Sequence, residues 1–143
     1  MAITWSQSID GIDWHELEAL YRAAPLGNKD AAGLQVVYTN SRYRCFAFDA
    51  GRLVGAGRAL ADGMDCSYVC DVAVQPSHQG TGVGKEIVAT LVRLSAGHRK
   101  IILYAVPGKE DFYRKFGFRP MLTAMAIFPN VQEAVARGYI AES

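Results

Sequence analysis

Three glycines at alternate positions, Gly80, Gly82 and Gly84, stand just after an apolar run and just before Lys85. Where a chain turns into a helix, glycines remove side chains and leave main-chain N–H groups facing one concavity at the positive end of the helix dipole. Such a nest binds phosphate. A glycine-rich turn without a ligand uses the same residues, so the glycines alone leave both readings open. The run is not a P-loop, because no Gly-Lys-Ser/Thr closes it. Nor is it a dinucleotide fingerprint, which takes Gly-x-Gly-x-x-Gly near the first strand and an acid about 20 residues on. Asp71 interrupts the apolar run Val69–Val74. Burying a carboxylate costs free energy unless it is hydrogen-bonded, so by this reading alone Asp71 is a structural residue tied to nearby backbone or a residue kept for function. Tyr113 lies in the segment Asp-Phe-Tyr-Arg-Lys-Phe-Gly-Phe, residues 111–118. By spacing alone it is one aromatic of a short helix, beside Phe112 and Phe116. His78 falls in the turn before the glycines, as a surface residue or a neighbour of phosphate. Cys45, Cys66 and Cys70 are three in number and are expected to be free thiols. Cys66 and Cys70 would lie about 13 Å apart along a strand, too far for a metal pair. Cys70 has no adjacent His or Asp relay, which argues against a nucleophile.

These residues need elements to position them. Cys70–Val74 is rich in β-branched residues and ends near Pro76, which cannot extend a ladder. From Val83 the apolar residues Ile87, Val88, Leu91 and Val92 repeat at helical spacing, with Lys85, Glu86, Thr90 and Arg93 on the wet face. Gly97 ends that helix. Upstream, Ala2–Ser6 reads as a first strand. Asp13 caps a helix over Trp14–Ala23, with Glu16 as its capping-box partner. Pro25–Asp30 is a loop, and a second short helix runs from Asp30 to Val37. Tyr43–Phe48 and Arg52–Leu60 are strands joined by the turn Asp49–Arg52, and Gly55 and Gly57 mark a bulge or a close backbone approach. After a turn at Ala61–Met64 comes the strand Tyr68–Val74. Lys100–Val106 is a fifth strand, stopped by Pro107-Gly108. A short helix follows over Glu110–Phe116, with Gly117 after it. Phe118–Phe128 gives one or two final strands, and Val131–Gly138 a terminal helix. The expected class is α/β (α+β): one domain over residues 1–143, with a mixed, mostly antiparallel sheet flanked by helices. The long helix makes the strands on either side of it parallel.

Gln79-Gly80-Thr81-Gly82-Val83-Gly84 resembles the Gln/Arg-x-x-Gly-x-Gly/Ala signature of the GCN5-related N-acetyltransferases (GNAT). The segment at residues 111–118 is similar to that family's Phe-Tyr-x-x-x-Gly-Phe landmark, and the spacing of the two also fits. The resemblance covers about residues 30 to 128, and the strand entry Cys70–Val74 points toward small bacterial members and plastid-type arylamine (serotonin) acetyltransferases. It implies a sheet whose two central parallel strands splay to admit the pantetheine arm. It also implies an enzyme moving the acetyl group of acetyl-CoA to a primary amine by direct attack in a ternary complex. The implied cofactor-binding set is Val72, Ala73, Val74, Gln79, Gly80, Thr81, Gly82, Val83, Gly84, Lys85 and Tyr113. Tyr113 becomes the general acid and Asp71 the candidate base. The acceptor pocket would be built from Tyr21, Leu26, Tyr38, Met64 and Tyr104, and Asp62, Asp65 and Asp71 would favour a cationic amine, an arylalkylamine fitting best. Many relatives carry an Asn after the fifth strand; here Ala105–Glu110 has none, and Lys109 would have to approach the cofactor instead. The alternatives are a CoA-sensing module without transfer, or an acetyltransferase acting on protein N-termini or lysines. By analogy with the family a homodimer is expected.

The composition sets limits on these expectations. Half of the 143 residues are hydrophobic and a fifth are charged, which marks a globular chain. A net charge of +1 gives no argument for nucleic acid or an anionic membrane. No apolar run reaches transmembrane length and no signal-peptide pattern stands at the start, so a cytoplasmic protein without metal is expected.

Overall fold

Period-two alternation sends neighbouring residues of a strand to opposite faces, and this chain uses both faces. In β2 (Tyr43–Asp49), Phe46 packs on one side while Cys45 and Ala47 pack on the other. The first side is covered by α1 (Trp14–Ala23) and α2 (Ala31–Thr39), through Leu17, Leu20, Tyr21, Leu34 and Tyr38. The second is covered by α3 (Val83–Leu94), whose Val83, Ile87 and Leu91 form the buried stripe. A fully buried leucine contributes about 2 kcal/mol by leaving water, so Leu17, Leu20 and Leu91 weigh heavily in fixing these helices. The computed structural model describes residues 2–27 and 29–143, and Asn28 of the expected loop lies outside them. They fall in two compact units, Met1–Leu103 and Tyr104–Ser143.

The first unit holds a five-stranded sheet in the order β1 (Ile3–Ser6), β2, β3 (Arg52–Ala61), β4 (Cys66–Val74), β5 (Lys100–Ile102). All neighbours are antiparallel except β4 and β5, which are parallel. The expected class, a mixed and mostly antiparallel sheet flanked by helices, is the one observed. The parallel pair lies at one edge of the sheet, not at its centre as expected. Its register covers only Cys66 with Lys100, Ser67 with Ile101 and Tyr68 with Ile102. β5 is therefore shorter than the Lys100–Val106 strand that the sequence suggests.

Local chemistry accounts for the element ends. The Asp13 carboxylate accepts from the N–H groups of His15 and Glu16 at 3.0 and 3.2 Å. Glu16 does not close a capping box; its carboxylate accepts from the Leu53 N–H at 3.1 Å and ties α1 to β3. Asp30 caps α2 through the Gly33 N–H. Gly55 and Gly57 prove to be close approaches to α3. A Cβ at Gly55 would fall 2.8 Å from Ile87 Cδ1, and one at Gly57 2.8 Å from Ile87 Cγ2.

The second unit contains α4 (Glu110–Arg114) and α5 (Val131–Ala136), capped by the Asn130 side chain. Tyr104, Phe128 and Tyr139 form an aromatic cluster with ring centres 5.5–6.2 Å apart. The stretch expected as one or two strands, residues 118–128, is not strand. Its Leu122, Met125 and Ile127 are almost fully exposed, so the alternation there has no face to bury.

Candidate active site

The pairing of β3 with β4 breaks at one place. Arg58 pairs with Cys70 and Ala56 with Ala73, which leaves the single residue Gly57 opposite both Asp71 and Val72. This is a β-bulge. Asp71 takes the left-handed conformation there, with φ of 57°. Aspartate tolerates that region better than most residues, at a cost of about 1 kcal/mol. The twist re-aims the carboxylate toward the α1–α2 side, where Arg58 Nε holds Oδ2 at 2.9 Å and Lys29 Nζ holds Oδ1 at 3.2 Å. The Asp71 carbonyl accepts from the Tyr21 hydroxyl, which in turn bonds the Tyr38 hydroxyl. Arg58 also donates to Ser41 Oγ at 3.2 Å.

Beyond the bulge, Ala73 and Val74 pair with Ala56 and Gly55 of β3. On its other edge β4 meets β5 only as far as Tyr68. Among the described residues, no strand pairs with that edge over residues 69–74. Alternate main-chain amide and carbonyl groups of a strand face such an edge and can take an extended ligand as an added strand.

β4 leads into the glycine turn through a braced segment. The Gln75 N–H donates to the Val54 carbonyl at 2.8 Å, and Pro76–His78 forms a 3-10 turn. His78 Nε2 lies 2.7 Å from Asp49 Oδ2, and its Nδ1 lies 2.8 Å from Ser77 Oγ. His78 thus fastens the turn to the β2–β3 hairpin. Gln79 donates to the Val74 carbonyl at 3.2 Å, and the Thr81 hydroxyl donates to the His78 carbonyl. Gly80 and Gly82 have φ of 78° and 92°, and the direction a Cβ would take from either is open for 4 Å. Gly82 is the N-cap of α3 and offers no side chain to the first turn. The amides of Val83, Gly84 and Lys85 therefore have no carbonyl one turn behind them and no side-chain cap. Uncapped donors at a helix start, with open space at Gly80 and Gly82, suit a diphosphate.

Of the residues expected to line the acceptor pocket, Tyr21, Leu26 and Tyr38 share one core, and Met64 lies in the β3–β4 turn. Tyr21 and Tyr38 are fully buried in the core, their hydroxyls directed at each other and at the bulge. Burial pushes both phenols well above their ordinary range. Leu26 is half-buried against the same core. Met64 is exposed in the β3–β4 turn, which Asp62 organises by accepting from the N–H groups of Met64, Asp65 and Cys66. Those bonds hold the Asp62 carboxyl down at about 2. Tyr104 is exposed and belongs to the aromatic cluster of the second unit. Tyr113 sits on α4, edge-to-face with Phe112 and Phe118, and burial raises its pKa above the ordinary 10. Lys109 is the exposed N-cap of α4.

Two residues at the bulge were not read from the sequence as partners of Asp71. Arg58 had a signal: it is a cation inside an otherwise apolar stretch, Leu53–Ala61, antiparallel to a strand with a lone acid. Lys29 had none, because a loop residue's reach depends on the tertiary fold.

Known proteins share parts of this sequence and its fold. Residues 41–120 match the family model described as acetyltransferase (GNAT) domain. A chloroplastic serotonin N-acetyltransferase 2 from Oryza sativa subsp. japonica is 44% identical over 71 residues, which is 48% of this chain and 36% of that protein. The chain thus matches little more than a third of that relative's length. A GNAT-family acetyltransferase from Streptococcus pneumoniae superposes with a TM-score of 0.77 at 23% identity, over 91% of this chain and 99% of the other. The structure of AAC(6')-Iy with a bisubstrate CoA-S-monomethyl-acetylneamine analogue gives 0.67 at 19% identity, over 91% and 98%.

Proposed function

The chain belongs to the GNAT acetyltransferases, and from that premise we propose that residues 1–143 form one domain that transfers the acetyl group of acetyl-CoA to a primary amine. The favoured acceptor is a small arylalkylamine, in keeping with the name of the rice relative. The observation that carries the proposal is the junction of two features. An uncapped, glycine-opened helix start follows directly on a strand whose edge is unpaired. The first suits a diphosphate and the second an extended amide chain, and CoA contains both.

In this reading Gln79–Lys85 hold the pyrophosphate through main-chain amides, and Val72–Val74 align the pantetheine arm. The bound cosubstrate supplies an activated thioester, and the acceptor amine attacks it directly. Tyr113 donates a proton to the departing thiolate; the raised phenol keeps that proton throughout the neutral range. Asp71 has both oxygens engaged by cations, which supports a positioning role and passes the amine's proton to it only through exchange with Lys29 or water. No described helix is long and apolar enough to cross a membrane. The compartment proposed is the cytosol, and the assembly a homodimer.

Calorimetry with CoA, joined to thiol release over a panel of amines, tests the proposal. Uptake of CoA and amine-dependent thiol release are expected; a chain that takes up no CoA overturns it.

A further inference from the structure

The loop between α1 and α2 brings an amine of the chain itself to the bulge. Lys29 Nζ lies 3.2 Å from Asp71 Oδ1 and 5.8 Å from the centre of the Tyr21 ring, while its side chain keeps 26% exposure. An ammonium held between a carboxylate and an aromatic ring is recognised as a primary-amine acceptor would be. Asp71 does not depend on Lys29 for a counter-ion, because Arg58 already holds the other carboxylate oxygen. Nor is Lys29 locked into a helix or strand. It can move without breaking a ladder.

We propose that Lys29 is an internal acceptor, so that the chain acetylates its own Lys29 from acetyl-CoA. The inference rests on the acetyl-transfer function above. The neutral amine attacks the thioester carbon. The Nζ–C bond forms and the C–S bond breaks. One ammonium proton leaves through Asp71 to solvent, and the thiolate takes a proton to leave as CoA. The product is a neutral amide that no longer pairs with Asp71. Modification therefore frees Asp71 Oδ1 for an external amine.

The test incubates the whole chain with acetyl-CoA and no added amine, and maps acetyl groups by peptide mass spectrometry. Proximity predicts labelling at Lys29 about tenfold above that at the exposed Lys100 and Lys115. Excess CoA should suppress the Lys29 label and spare the other two. Lys29→Arg should keep the ion pair and carry no label at that position. Equal labelling of all three lysines, or a Lys29 label indifferent to CoA, means solution chemistry and overturns the inference. Thiol release with added amines from a chain whose Lys29 stays unmodified overturns this inference alone. Failure of both CoA uptake and thiol release overturns the function, and this inference with it.

Discussion

Asp71 shows what a single residue commits the rest of the molecule to. Its left-handed backbone, its two cations and the Tyr21 hydroxyl on its carbonyl all converge at the bulge. Asp71→Asn leaves the Arg58 guanidinium, mostly buried, without its counter-ion. The expected cost is about 3 kcal/mol, read as a lower urea midpoint at unchanged slope. Gly82 is the corresponding commitment in the turn. Gly82→Val must hold a β-branched residue at φ of 92°, where L-residues pay about 1–2 kcal/mol, and it also fills the open concavity. CoA affinity should fall at least about tenfold by calorimetry, while the circular dichroism spectrum stays unchanged. Tyr113→Phe should lower kcat about 100-fold. Because burial raises the Tyr113 phenol, the alkaline limb of the wild-type kcat profile should lie above pH 10, its ordinary value, and should vanish in the variant. Full turnover by Tyr113→Phe would remove the acid assignment.

Among the elements, α3 approaches the backbone of β3 closely. Gly57→Ala sets a methyl 2.8 Å from Ile87 Cγ2 and 3.1 Å from Leu91 Cδ1. Overpacking of this kind costs about 1–3 kcal/mol. In a double-mutant cycle with Ile87→Ala the two losses should be less than additive, since the second change opens the space the first one fills. Additive losses would show that the helix shifts as a body instead. The sequence spoke clearly about such elements wherever one face was buried. The stripe of α3, the Asp13 cap and the β2–β3 hairpin follow from periodicity and turn chemistry. It misled at residues 118–128, where alternation suggested strands but Met125 and Ile127 are exposed. A period of two shows only which residues would share a face; it cannot supply the partner strand. The glycine turn was legible because its chemistry is local. The clamp of Arg58 and Lys29 was not, because it joins residues 13 and 42 positions from Asp71.

For the molecule as a whole, the buried tyrosine pair sets an upper pH limit. Tyr21 and Tyr38 keep their protons in the folded state far above the value at which unfolded tyrosine ionises, because burial penalises the phenolate. The unfolded chain therefore releases protons first as pH rises. The pair's contribution is intact below pH 10 and is lost progressively above it. Each phenol should cost about 1.4 kcal/mol per pH unit above 10. Urea titrations between pH 9 and 11.5 should show that fall, with a shallower slope in Tyr38→Phe. Equal slopes would mean that the pair does not govern alkaline unfolding.

The bulge has a consequence for how β4 is spelled. Val69 before it and Val72 and Val74 after it all face α3, although their numbers change from odd to even. Asp71 is thus a supernumerary letter: struck out, it would leave every hydrophobic word of the strand intact and facing the same way. The apolar core has no use for that position; what occupies it is a carboxylate that binds Arg58 and Lys29.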